Sequence, residues 1–187
     1  MKPVHLHLVR HGQSTWNVEG RLQGQTAHPD LTDLGHEQAK AAAAALTSLV
    51  RGSVAVVTSD LVRARHTAEH IAATLGVVPT PDPDLREQAL GSLEGRLTSE
   101  LSAEPTPDAT HVSEVRWGGG ESLEDVHRRL AAPIERARLT AYEHVVWVTH
   151  GDTMRVALAR LDGRTHREVD WAPIGNGAVV SVTVARG

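Results

Sequence analysis

Cysteine is absent from these 187 residues, which excludes disulfides and thiolate metal sites. Phenylalanine is absent too, tyrosine occurs once and tryptophan four times. The core must therefore be built from alanine, valine and leucine. No strong excess of either charge is present: 19 Lys and Arg stand against 23 Asp and Glu, a formal net charge of −4. That balance argues against a general nucleic-acid binder, so any basic site must be local. No apolar run approaches the ~18 residues of a membrane span, and Met1-Lys2 leads straight into a strand-like stretch instead of a secretory leader. The reading is a soluble, cytoplasmic protein with no membrane partner and no nucleic-acid partner. No segment reads as a linker and no repeat is visible. Residues 1–187 are expected to form a single domain, long enough to bury roughly 70% of the unfolded surface.

What is present is an alternation of strand and helix signals. Val4, Leu6 and Leu8 alternate with His5 and His7, the period of a strand with one less buried face. A long polar loop, 10–31, follows; ordered loops of that length are usually functional. Thr32 is a good N-cap for a helix over 33–50, striped by Ala39, Ala42, Ala43 and Leu46. Val54 to Val57 reads as a strand buried on both faces. Thr58-Ser59-Asp60 is expected to cap a helix over 60–75, which Gly76 ends. Residues 77–80 read as a short strand, and Pro81 and Pro83 force an extended connection into Leu85-Arg86-Glu87. Residues 95–120 are the least legible, with a helical turn or two over 97–101. A helix is expected over 121–139, kinked at Pro133. A buried strand follows over 144–149, then a helix over 152–161 and a last strand over 179–185. The fold class this order implies is α/β: a three-layer α/β/α sandwich with a mainly parallel central sheet and helices on both faces.

Three strand ends carry chemistry. The first bears Arg10-His11-Gly12. The second runs into a helix whose first turn holds Arg63. The third ends at His150-Gly151. Parallel strands place their carboxyl ends on one edge, where α/β sheets bind ligands. Two arginines, two histidines and the Glu87 carboxyl could surround one point. Fixed cationic donors of this kind stabilise the oxygens of a transferring phosphoryl group. A neutral imidazole can attack phosphorus, and a carboxylic acid can protonate the departing alkoxide.

Longer motifs sharpen this. Leu8-Val9-Arg10-His11-Gly12-Gln13-Ser14-Thr15-Trp16-Asn17 resembles the signature of the histidine phosphatase superfamily, in its phosphoglycerate mutase-like branch. The similarity continues through Gly24, Leu31 to Gly35, Ser59 to Glu69, Leu85-Arg86-Glu87, Gly91 to Gly95, Gly119 to Ser122 and Val148 to Gly151. These motifs stand in family order over nearly the whole chain.

The resemblance implies a role for each matching position. His11 is the nucleophile that becomes phosphorylated. Arg10, Arg63 and His150 hold the phosphoryl oxygens, with Asn17 a further contact. Glu87 acts as acid and then as base toward water. Gln23, Gly24 and Gly151 border the bound group. The resemblance implies no metal and no cofactor, a small phosphorylated metabolite as partner, and leaves a homodimer open. Gln88 to Gly95 resembles the phosphatases of the family more than its cofactor-dependent mutases, so a phosphomonoester hydrolase is expected. A phosphoglycerate mutase and a non-catalytic phospho-ligand module are the alternatives. His66 and His70 stand at a spacing that can bind metal, and His5 and His7 share a strand face. Neither pair has an acidic or thiol partner in sequence, so both read as solvated. Glu94 reads as holding local structure.

Overall fold

The computed structural model describes residues 2–102 and 105–187. Its centre is a five-stranded sheet, formed by β1 (Val4–Arg10), β2 (Val54–Thr58), β3 (Thr80–Pro81), β4 (His144–Thr149) and β5 (Val179–Val184) in the order β3-β2-β4-β1-β5. All neighbours are parallel except β5, which runs antiparallel to β1 at the edge.

Strand alternation sends side chains to two separate cores. Val4, Leu6 and Leu8 pack with Trp147, Leu130, Ile134 and Met154 on one face. That face is covered by α4 (Leu123–Arg129), α5 (Ala131–Leu139) and α6 (Gly151–Leu161). Val9, Val56, Val146 and Val148 pack on the other face against the alanine-rich stripes of α2 (Asp33–Leu49) and α3 (Val62–Leu75). Small residues let those two helices approach the sheet and each other closely. Thr32 caps α2 by accepting from the Gly35 amide, and Gly76 ends α3 at φ 71°. The α/β sandwich expected from the sequence is present.

Several local expectations need correction. α3 begins at Val62, with Leu61 at its N-cap and no side-chain cap. The polar side chains before it are engaged elsewhere: Ser59 with His150, and Asp60 with Arg86. The strand expected over 77–80 shrinks to Thr80–Pro81, because proline offers no amide to extend the ladder. The helix expected over 121–139 is two helices, broken at Leu130 (ψ −8°). Pro133 sits in the first turn of α5, where its missing amide costs little. The long first loop contains a short helix, α1 (Thr15–Glu19), and a bridge from Ser14 to Leu31. Within 95–120, three 3-10 turns cover Thr98–Glu100, Val112–Glu114 and Trp117–Gly119.

His7 was expected on a solvated face and is buried. It bonds to Ser181 Oγ at 2.7 Å and to His144 Nδ1 at 3.0 Å, between β5 and β4. Burial, then the neighbouring His144 and His5, push its pKa down to about 4. A histidine kept neutral when folded but free to charge when unfolded binds fewer protons in the native state. Stability is then complete above the ordinary histidine value of about 6.5 and falls as pH drops toward 4. Denaturant midpoints should fall between those limits, by up to about 1.4 kcal/mol per pH unit for each such histidine. A His7→Gln variant should flatten that slope.

Candidate active site

The sheet builds the site at its carboxyl edge. β4 lies between β1 and β2, so Arg10 pairs with Thr149 and Thr58 with Val148. Hydrogen bonding continues past the strand ends. His11 N–H donates to Thr149 C=O and Ser59 N–H to Val148 C=O, each at 2.9 Å. His150 is thereby held between His11 and Ser59. The two imidazoles have ring centroids 5.1 Å apart at 60°, and both are buried.

His11 is fixed in ring orientation. Its Nδ1 lies 2.7 Å from the Gly12 carbonyl oxygen, which can only accept. Nδ1 therefore carries the proton, and Nε2 keeps its lone pair. Burial and the Arg63 guanidinium, with Arg10 adding to them, push the His11 pKa well below its ordinary value. Gly12 is required by packing, since a Cβ there would overlap the Gly35 carbonyl. Its N–H donates to Thr67 Oγ1 at 3.0 Å, which ties this turn to α3.

His150 is oriented in the opposite sense. Its Nε2 is 2.8 Å from Ser59 Oγ. That hydroxyl also accepts from Leu61 N–H; donating its own proton to Nε2 would put the imidazole proton on Nδ1. Nδ1 is buried without a protein partner. Burial and the Arg63 charge lower the His150 pKa well below its ordinary value. Both imidazoles are thus kept neutral, with the His11 proton on Nδ1.

Arg63 is fully buried in the first turn of α3. Its two terminal nitrogens donate to Thr26 C=O (2.9 Å) and Gly24 C=O (2.8 Å). Arg10 donates to Ile174 C=O. The Nε atoms of both arginines are buried and unpartnered. Among the described residues, those two atoms and His150 Nδ1 are the only buried side-chain nitrogens or oxygens lacking a partner. All three belong to this site. Burial lowers the pKa of both arginines, that of Arg63 to about 10, while Glu87 opposes the fall, so both remain cationic at neutral pH.

Glu87 stands at the N-terminus of α6. Gln88 N–H and Thr153 N–H, each at 3.0 Å, converge on its Oε1; the Thr153 hydroxyl lies 3.1 Å from the same oxygen and closer, 2.8 Å, to the Arg86 carbonyl. Oε2 has one longer contact, 3.2 Å, from Asp152 N–H. Oε2 is the less committed oxygen and the one available to exchange a proton. Gly151 starts α6 beside two guanidinium groups; a Cβ there would stand a tight 3.2 Å from Arg155 Nη1 and in ordinary contact, 3.5 Å, with Arg10 Nε.

The remaining expected residues also make structural bonds in the loop frame. The Asn17 carbonyl oxygen closes a capping box with Ser14 and accepts from Asn176 Nδ2 at 3.3 Å. Its amide nitrogen makes no hydrogen bond with a described residue. Gln23 accepts from Ser14 Oγ at 2.7 Å, which ties it to the loop frame. Gly24, at φ 46°, lies behind Arg63, and a Cβ there would overlap the Glu94 carboxylate. Glu94 does hold local structure, accepting from Gln25 N–H, Thr26 Oγ1 and Leu90 N–H. His36, His66 and His70 cluster between α2 and α3, with His66 paired to Asp30. Among the described residues, no group of three or more His, Asp or Glu is arranged to hold a metal.

Sequence reasoning passed over Ser59, whose hydroxyl bonds His150 Nε2, and Asp152, which follows His150-Gly151 directly. It also passed over Arg129, whose guanidinium binds Glu121 and the carbonyls of Asp84 and Arg86 beneath Glu87. A serine one residue past a strand end and an acid in the first turn of a helix were the available signals.

One buried and one half-buried guanidinium with two buried, neutral imidazoles, at the carboxyl edge of a parallel sheet, form a site suited to a phosphoryl group. The chain belongs to the histidine phosphatase superfamily (branch 1), whose family profile matches residues 6–187. It is 40% identical over 162 residues to a metal-independent phosphoserine phosphatase of Arabidopsis thaliana, covering 82% of this chain and 67% of the relative. It is 37% identical over 153 residues to a Photorhabdus laumondii protein named "Probable phosphoglycerate mutase GpmB", covering 79% and 70%. The fold is similar to that of a mycobacterial glucosyl-3-phosphoglycerate phosphatase, with a TM-score of 0.80 at 30% identity, covering 97% of this chain and 91% of that one. No described helix is long and apolar enough to cross a membrane.

Proposed function

We propose that this protein is a metal-independent phosphatase that hydrolyses a small phosphomonoester through a phosphohistidine on His11. The orientation of His11 carries the proposal: Nδ1–H is anchored on Gly12 C=O, which leaves the Nε2 lone pair free, and the ring lies in the field of the Arg63 and Arg10 guanidinium groups. In the first step Nε2 attacks phosphorus and the P–O bond to the leaving alcohol breaks. Glu87 gives its proton to the departing oxygen. In the second step water attacks the phosphohistidine, Glu87 takes a proton from that water, and inorganic phosphate leaves. Arg10, Arg63 and the His150 Nδ1–H supply donors to the equatorial oxygens in both steps.

A phosphate-release screen across metabolite phosphomonoesters, with His11→Ala as the blank, tests this reading. The identity to a named mutase favours a second one, phosphoglycerate mutase activity. Isomerisation of 3-phosphoglycerate in the presence of a bisphosphoglycerate primer, without free phosphate, would establish that reading instead.

The acid role of Glu87 has its own signature. In Glu87→Gln, kcat/KM for alkyl phosphates should fall about 10²–10⁴-fold. It should fall far less for p-nitrophenyl phosphate, whose leaving group departs without a proton. Equal losses on both substrates would remove Glu87 from the protonation step.

A further inference from the structure

A cavity of about 520 Å³ abuts the site. Leu22, Leu90, Leu93 and Trp117 form its apolar wall, Asp152 lies in it, and Arg96 stands at its rim. Asp152 joins this cavity to the catalytic edge. Its amide touches Glu87 Oε2, and its carboxylate accepts from Arg155 Nη1 at 3.1 Å while lying in the field of Arg10 and Glu87. Its side chain is 41% exposed, so it is open to a ligand in the cavity. Arg96, the other charged residue lining the cavity, is exposed and makes no ion pair with a described residue. Of the two, the one whose backbone touches Glu87 is the anion.

We propose that Asp152 reads the charge a substrate carries beside its reacting phosphate, so that the cavity takes the leaving alcohol of an aminoalkyl phosphomonoester and disfavours one bearing a carboxylate or second phosphate there. The inference rests on the phosphatase reading above and names its substrate class. A protonated amine next to the ester would meet a carboxylate and the indole face of Trp117, both suited to a cation. A carboxylate at the same place would meet Asp152 and Glu87 across an apolar wall, where like charges repel more strongly than in water. Arg10 and Arg155 offset that repulsion only in part: both already face Asp152, and Arg10 also faces the phosphoryl position. Asp152 is thus a specificity-determining residue of the pocket, separate from the groups that move protons.

The charge of Asp152 can be set in two ways. Asp152→Asn removes it while keeping the backbone N–H that supports Glu87. Acidification removes it too, because burial and then the Glu87 carboxylate raise the Asp152 pKa to about 6. The measured quantity is the ratio of kcat/KM for phosphoethanolamine to that for 3-phosphoglycerate, with p-nitrophenyl phosphate as the uncharged reference. Titration of the phosphate is common to both esters and cancels in the ratio.

The ratio should favour phosphoethanolamine in the wild type, and Asp152→Asn should lower it about tenfold or more. Moving from about pH 7.5 to about pH 5 should lower it in the wild type and leave it flat in the variant. Turnover of p-nitrophenyl phosphate with a ratio that neither treatment moves would overturn the role of Asp152 alone. Failure of the wild type to release phosphate from any of the three esters would overturn the phosphatase reading, and this inference with it.

Discussion

His11→Ala should reduce phosphate release to the level of the uncatalysed reaction, a loss of at least about 10⁴-fold, because it removes the proposed nucleophile and not an accessory. The expectation rests on how completely the surroundings commit this ring. Its Nδ1 proton is fixed on Gly12 C=O, and its amide is fixed on Thr149 C=O. Burial and two guanidinium groups keep it neutral. A neutral ring with Nε2 unprotonated is ready to attack without first losing a proton. On phosphorylation it becomes cationic between two arginines, and the transferred phosphoryl dianion supplies the compensating charge. The intermediate should therefore be stable to alkali and labile to acid, and should add one phosphoryl group at His11 in a rapidly quenched wild-type sample. Retention of wild-type turnover by His11→Ala, or a phosphoryl group trapped on another residue, would end the phosphohistidine mechanism. Fold should survive the substitution, since the amide of residue 11 still completes the ladder to β4.

The parts of this site that were legible in the sequence are those with a local signal. Arg10 and His11 follow an alternating apolar run, and His150 follows a continuous one, so both strand ends could be placed. Thr32 and Gly76 mark their helix ends by chemistry that acts within one turn. The α/β order followed from periodicity alone. The misreadings share a cause: they concern side chains whose partner lies far along the chain. Ser59 and Asp60 look like helix caps until His150 and Arg86, 91 and 26 residues away, claim them. His7 looks solvated until β5 and β4 close over it with Ser181 and His144. Gly24 and Gln23 also carry long-range ties that no local pattern reveals: the Gly24 carbonyl accepts from Arg63, and Gln23 accepts from Ser14 Oγ. Asp152 is the converse case. Its position in sequence was plain, and only the cavity beside it gives it a role.

Arg63→Ala should produce the largest combined effect on activity and stability, because Arg63 serves both at once. Its guanidinium is fully buried and divides its donors: two nitrogens hold the Thr26 and Gly24 carbonyls, and the third, Nε, has no protein partner and is the donor proposed for the phosphoryl oxygens. Truncation removes a preorganised cationic donor, which should cost about 10²–10³-fold in kcat/KM. It also orphans two buried carbonyls and leaves a void at the start of α3. Each unpaired carbonyl costs about 1–3 kcal/mol, partly offset because a buried charge no longer has to be desolvated. For a chain of this size the net loss should lower Tm by about 5–10 °C. Hydrogen exchange should locate the damage, quickening at residues 24–26 and at their Glu94 contacts while β1 and β4 stay protected. Arg63→Lys separates the two roles. Its ammonium keeps the charge but cannot reach two carbonyls and a phosphoryl oxygen in one plane. Part of kcat/KM should return, with little of the loop protection. An Arg63→Ala protein within tenfold of wild-type kcat/KM would show that the phosphoryl group is held without it. Unchanged exchange over 24–26 would show that the loop does not depend on this guanidinium.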